Sequence, residues 1–144
     1  MSVLWDRLRN SIEELWRSHD SINQKRCEIL RALINAGEQE PGLFTLTAPT
    51  GSGKTLSSMA FALRHALLHN KRRIIYVIPY ISILEQTQQK FESIFHAETV
   101  VAHYANVDYH DEDVYKRQRE KLVCDNRGLY HHDQCLQLYH YYGP

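Results

Sequence analysis

The sequence predicts an α/β fold with a parallel sheet, preceded by N-terminal helices, and three observations carry that prediction. A glycine-rich turn, "APTGSGKT" (48–55), stands between a short β-prone run, "LFTLT" (43–47), and a stretch with helical spacing. A continuous apolar run, Ile74 to Ile78, is halted by Pro79, which is how a strand covered on both faces of a parallel sheet is written. Strand-like and helix-like segments then alternate to about residue 104, the order that builds strand–helix–strand units. The crossover rule makes each such unit right-handed.

Taken in order, Leu4, Leu8, Ile12, Leu15 and Trp16 recur at helical spacing, and Ile22, Ile29, Leu30, Leu33 and Ile34 do so again. They predict two amphipathic helices, with Gly37 placed to end the second. "GEQEPG" (37–42) is a polar, turn-rich connector. The run 43–47 reads as a strand, and "KTLSSMAFALRHALLHN" reads as a helix to about Asn70. "ISILEQTQQKFESIF" (81–95) returns to helical spacing through Ile83, Leu84, Phe91, Ile94 and Phe95, and "ETVVAHY" (98–104) reads as a third strand. Beyond "DYHDEDVYKRQ" the periodicity fails, and residues 114–144 hold five of the nine tyrosines and no isoleucine.

Composition narrows the function classes. With 144 residues the chain has about the length of one domain. Seventeen basic residues balance seventeen acidic ones, so bulk charge points neither to a nucleic-acid glove nor to a membrane surface. Any nucleic-acid contact has to be local. Three widely spaced cysteines, Cys27, Cys124 and Cys135, fit reduced thiols in a cytoplasmic protein better than a disulfide framework. No apolar run approaches the roughly 20 residues that cross a bilayer, so no membrane partner is expected.

The turn at 48–55 carries the chemistry. It reads A-x-x-x-x-G-K-T against the phosphate-loop pattern G-x-x-x-x-G-K-[ST], with Ala48, Pro49, Thr50, Gly51, Ser52, Gly53, Lys54 and Thr55 in the eight positions. Gly51 and Gly53 allow a tight backbone where amide groups converge on phosphate. The helix that follows turns its positive end toward the anion. Lys54 can reach the β- and γ-phosphates of ATP, and the Thr55 hydroxyl can ligate Mg²⁺. The first position lies at the strand exit, where a small residue such as Ala48 suffices. Downstream, the strand ending at Pro79 leads into a helix whose first turns present Ser82, Glu85 and Gln86. Such a helix start can hold a phosphodiester without reading base sequence; taken alone, it is also what any ordinary strand–helix junction looks like.

Three segments, "LFTLTAPTGSGKTLSSMAFALRHA", "RRIIYVIPYISILEQ" and "VVAHYANVD" (100–108), together resemble the CRISPR-associated helicase–nuclease of type I interference systems. That is a superfamily 2 helicase, and the resemblance covers roughly residues 20 to 110. It implies the N-terminal part of a first RecA-like P-loop lobe, with ATP and Mg²⁺ held at Ala48 to Thr55. It also implies single-stranded DNA contact at Pro79, Tyr80, Ser82 and Gln86, and a CRISPR RNA-guided surveillance complex as partner. "INQKR" (22–26) falls where that family has a helix approaching adenine, which makes Gln24 an adenine contact by resemblance alone. The implied organisation is an N-terminal helical segment at 1–37, a partial ATP-binding lobe at 38–110 and a tail at 111–144. The tail is expected to be of low order and foreign to the family.

The family's acidic D-E-x-H element has no match. "HDED" (110–113) has the wrong order and reads as a solvated loop. A second RecA-like lobe with its arginine finger and a histidine–aspartate nuclease domain are likewise not found in these residues. Cys124, His131, His132 and Cys135 cluster, but their spacing fits no standard zinc finger. The leading expectation is a fragment of an ATP-dependent DNA helicase or translocase of CRISPR antiviral defence. The alternatives are a nucleotide-binding fragment without turnover and another small P-loop NTPase or kinase.

Overall fold

The computed structural model describes residues 1–17, 20–103, 122–125 and 135–139. It divides into two compact units, Met1–Asn70 and Lys71–Pro144. The first consists of three helices, α1 (Ser2–Arg17), α2 (Ser21–Ala36) and α3 (Lys54–Leu68). On α1, Leu4, Leu8 and Ile12 are buried. Their i, i+4, i+8 spacing puts them on one face, and each fully buried side chain is worth about 1.5–3 kcal/mol. Asp20 caps α2: its carboxylate accepts from the Ile22 amide at 3.5 Å and its carbonyl accepts from the Gln24 amide at 2.9 Å. Cys27 and Leu30 are the buried residues of α2, whereas Ile22, expected on the apolar face, is exposed. It lies in the first turn, two residues past the cap, about 140° around the helix from the buried Cys27.

The helix α3 is the centre of this unit and packs against both α1 and α2. Leu56, Met59, Ala60, Phe61, Ala62, Leu63 and Ala66 are buried on it, with Ser57 and His65 as buried polar residues. Gly37 sits at the crossing with α2. A Cβ there would lie 2.9 Å from the Phe61 carbonyl oxygen and 3.0 Å from Arg64 Cβ. The residue ends α2 as predicted, but its φ is −63°, so glycine is required for closeness rather than for a left-handed cap. Phe44 joins the connector to α3 edge-on, with ring centroids 4.9 Å from Phe61 and 5.6 Å from His65.

The expected strand at 43–47 is not formed. These residues adopt no regular structure, Leu43 is 96% exposed and Leu46 39%. A β-prone run becomes a strand only when a neighbour completes its ladder, and no pairing is described for it.

The second unit holds β1 (Arg73–Val77), α4 (Ile81–Phe95), a 3₁₀ turn (Ala97–Thr99), β2 (Val100–His103), β3 (Leu122–Asp125) and β4 (Cys135–Tyr139). Its strands lie in the order β2-β3-β1-β4, each paired in parallel. Ile74 stands opposite Leu122 and Leu136, and Val100 opposite Leu122. The interior of β1 is buried at Ile74, Ile75 and Tyr76, as is Ile78 just beyond it, as its continuous apolar run requires. On α4, Leu84, Thr87, Phe91 and Phe95 are buried, and Tyr76 meets Phe91 edge-on at 5.4 Å. The strands β3 and β4 fall in the stretch without legible periodicity, because four or five residues are too short to establish an alternation. The acidic loop 110–113 and His131 and His132 lie outside the described residues, as does the end of the 100–108 segment.

Candidate functional site

The loop at 48–55 is built by backbone constraints written into its glycines. Gly51 has φ +78° and Gly53 φ +84°, a left-handed conformation that costs other L-residues about 1–2 kcal/mol. Gly53 is the residue before α3 and accepts from the amides of Leu56 at 3.1 Å and Ser57 at 3.0 Å. Lys54 and Thr55 therefore open the helix, where the first amides have no intrahelical partner and carry the positive end of the dipole. The Ser52 amide donates to the Pro49 carbonyl at 3.3 Å, which closes the arch.

The side chains supply donors. Lys54 Nζ donates to the Ala48 carbonyl at 2.8 Å, folded back across the base of the loop. The Ser52 hydroxyl is buried with no hydrogen-bond partner. A buried hydroxyl left unsatisfied is costly, and an anion seated in the loop would relieve it. Space beside Gly51 is open, since a Cβ there would meet nothing within 4 Å. Free helix-start amides, an orphaned hydroxyl and the Lys54 ammonium form a donor set that fits phosphate.

The structure brings Ala48 to Thr55 together in one arch. Gln24 is exposed on α2, and this helix lays Arg26 on the loop. Its Nε donates to the Gly51 carbonyl at 3.0 Å and its Nη1 to Asn23 Oδ1 at 3.1 Å. Sequence reasoning passed over Arg26. The signal for it is the position of Asn23 and Arg26, each four residues before one of the buried Cys27 and Leu30, which puts them on the inward side of α2.

The other group of predicted residues belongs to the second unit. Pro79, Tyr80, Ser82 and Gln86 are all exposed, Tyr80 by 56%. Tyr80 is the residue before α4, in extended conformation, and makes no side-chain cap. Ser82 and Gln86 are one turn apart on the solvent side of α4, opposite Leu84, Thr87 and Phe91. Among the described residues no group of three metal-ligating side chains is present. No described helix is long and apolar enough to cross a membrane.

A family model described as "Type III restriction enzyme, res subunit" matches residues 19–137. The chain belongs to this family. The CRISPR-associated nuclease/helicase Cas3 of Haloferax volcanii is 44% identical over 64 residues, which cover 41% of this chain. The aligned stretch spans 7% of that protein's length. The similarity to a CRISPR-associated helicase–nuclease is thus found in a curated relative.

Proposed function

We propose that this chain is part of an ATP-dependent DNA helicase or translocase of CRISPR antiviral defence, acting in the cytoplasm. The observation that carries the reading is the loop itself, two left-handed glycines delivering Lys54 and Thr55 to the start of a 15-residue helix. In this reading the backbone from Ala48 to Thr55 cradles the ATP phosphates. Lys54 leaves the Ala48 carbonyl for the phosphate oxygens, and the Ser52 hydroxyl gains a partner. Thr55 would hold Mg²⁺, which neutralises charge on the phosphates. Gln24 is the proposed adenine contact. Pro79, Tyr80, Ser82 and Gln86 hold single-stranded DNA by its backbone at the start of α4, supported by their exposure and by the uncapped helix end.

The organisation proposed with this function is a helical segment at 1–37, a partial RecA-like lobe with a parallel sheet at 38–110 and a tail at 111–144. A CRISPR RNA-guided surveillance complex is the proposed partner, on the strength of the Cas3 similarity. Binding and turnover of Mg·ATP, each with and without single-stranded DNA, test the reading on wild type and Lys54→Ala. Lysine-dependent binding is expected, weakened at least about tenfold by Lys54→Ala, since the lost contact is a charge-assisted one. Hydrolysis stimulated by DNA supports the helicase, whereas binding without turnover supports a nucleotide-binding fragment. Failure of the wild type to bind Mg·ATP sinks both.

A further inference from the structure

Nothing steric holds Gly51 in its left-handed conformation. A Cβ at that position would touch nothing within 4 Å, and glycine has more backbone freedom than any other residue. Hydrogen bonds must therefore fix the arch. The Gly51–Ser52 peptide is gripped at both ends, its N–H donating to Pro49 at 3.3 Å and its carbonyl accepting from Arg26 Nε at 3.0 Å. The first bond is internal to the loop and moves with it. The second is anchored outside, on α2. There the guanidinium is locked by a further bond from Nη1 to Asn23 Oδ1, one turn back on the same helix. The stem of Arg26 also passes the second glycine, its Cγ lying 3.8 Å from where a Gly53 Cβ would be. The loop's own cation offers no lasting brace, because Lys54 must release Ala48 to reach a phosphate.

We propose that Arg26 is a positioning residue that presets the phosphate loop through the Gly51 carbonyl, acting by a directed N–H donor rather than by charge on the ligand. The inference rests on the nucleotide-binding reading of the loop, and part of its test is independent of nucleotide.

Three variants of the full chain separate the roles. Arg26→Met keeps the stem and loses every donor. Arg26→Gln places an amide nitrogen the same number of bonds from Cα as Nε, without charge. Arg26→Lys keeps the charge with its donor one bond farther out. The Arg26→Met variant is expected to weaken Mg·ATP binding about tenfold, the scale of one hydrogen bond from a charged donor. It is also expected to speed hydrogen exchange at the Ser52 amide of the nucleotide-free protein by a similar factor. Gln restores both to within about twofold and Lys restores neither, because only Gln preserves the geometry of the bond.

Rescue by Lys and not by Gln overturns the proposal in favour of direct charge on the nucleotide. Unchanged exchange and affinity in Arg26→Met overturn it outright, as does a lowered melting temperature that Gln leaves uncorrected. If wild type fails to bind Mg·ATP while Arg26→Met still loosens Ser52, the nucleotide reading falls and the tether stands.

Discussion

At Gly51 and Gly53 one missing methyl group sets what the loop can be. An alanine at 53 would sit 3.8 Å from Arg26 Cγ, an ordinary contact, so its cost is conformational. Gly53→Ala is expected to lose about 1–2 kcal/mol of stability in urea titration and to move the helix-start amides off their target. Gly51→Asn should be milder than Gly51→Val, since asparagine tolerates the left-handed region and a β-branched residue does not. Gly37 is a different case. Its φ is ordinary, and what excludes a side chain is the Phe61 carbonyl at 2.9 Å. Gly37→Ala forces α2 and α3 apart and should cost about 1–3 kcal/mol, the usual range for overpacking. A midpoint shift without a change in slope checks both predictions.

Among the elements, α3 has two duties. Its first turn opens on the phosphate loop, and its last turns hold down the connector that leads there. His65 is buried, stacked on Phe61 with ring centroids 5.6 Å apart and 4.3 Å from His69. Its Nδ1 donates to the Gly37 carbonyl at 3.1 Å, and His69 Nε2 donates to Gln39 at 2.9 Å. Arg64 adds a forked contact to Glu38, Nη2 at 2.6 Å and Nε at 3.2 Å. His65→Phe keeps the stacking but strands the Gly37 carbonyl. It should cost about 1–3 kcal/mol by denaturant unfolding, while the exposed Arg64–Glu38 pair contributes about 1 kcal/mol or less. In the second unit, Phe91 touches both Tyr76 and Phe95, so Phe91→Ala should remove about 3–5 kcal/mol.

For the molecule as a whole, ligand linkage is the sharpest observable. A ligand that binds only the folded state at about 100 times its Kd adds about 2.7 kcal/mol. Mg·ATP should therefore raise the melting temperature of the wild type and leave that of Lys54→Ala nearly unmoved. A shift of equal size in both would show that the nucleotide binds elsewhere. The sheet belongs to this scale too. Among the described residues β2 and β4 are the outer strands.

The phosphate loop, α3, β1 and α4 were legible from residues alone, because local chemistry dictates them. Glycines permit the arch, a lysine and threonine open a helix, a proline halts an apolar run, and a period near 3.6 marks the helix faces. The sequence also carried the family similarity, because "APTGSGKT" and "YVIPYISILEQ" stand there in order. What depended on distant partners was not legible. Residues 43–47 have strand propensity and remain without a ladder. The short runs at 122–125 and 135–139 have little pattern, yet they pair with β1. The tertiary structure alone decided that Arg26 of α2 meets the loop at the Gly51 carbonyl. Residues two apart on a helix differ by about 200° in direction, and the packing of Cys27 and Leu30 inward turns Arg26 toward Gly51.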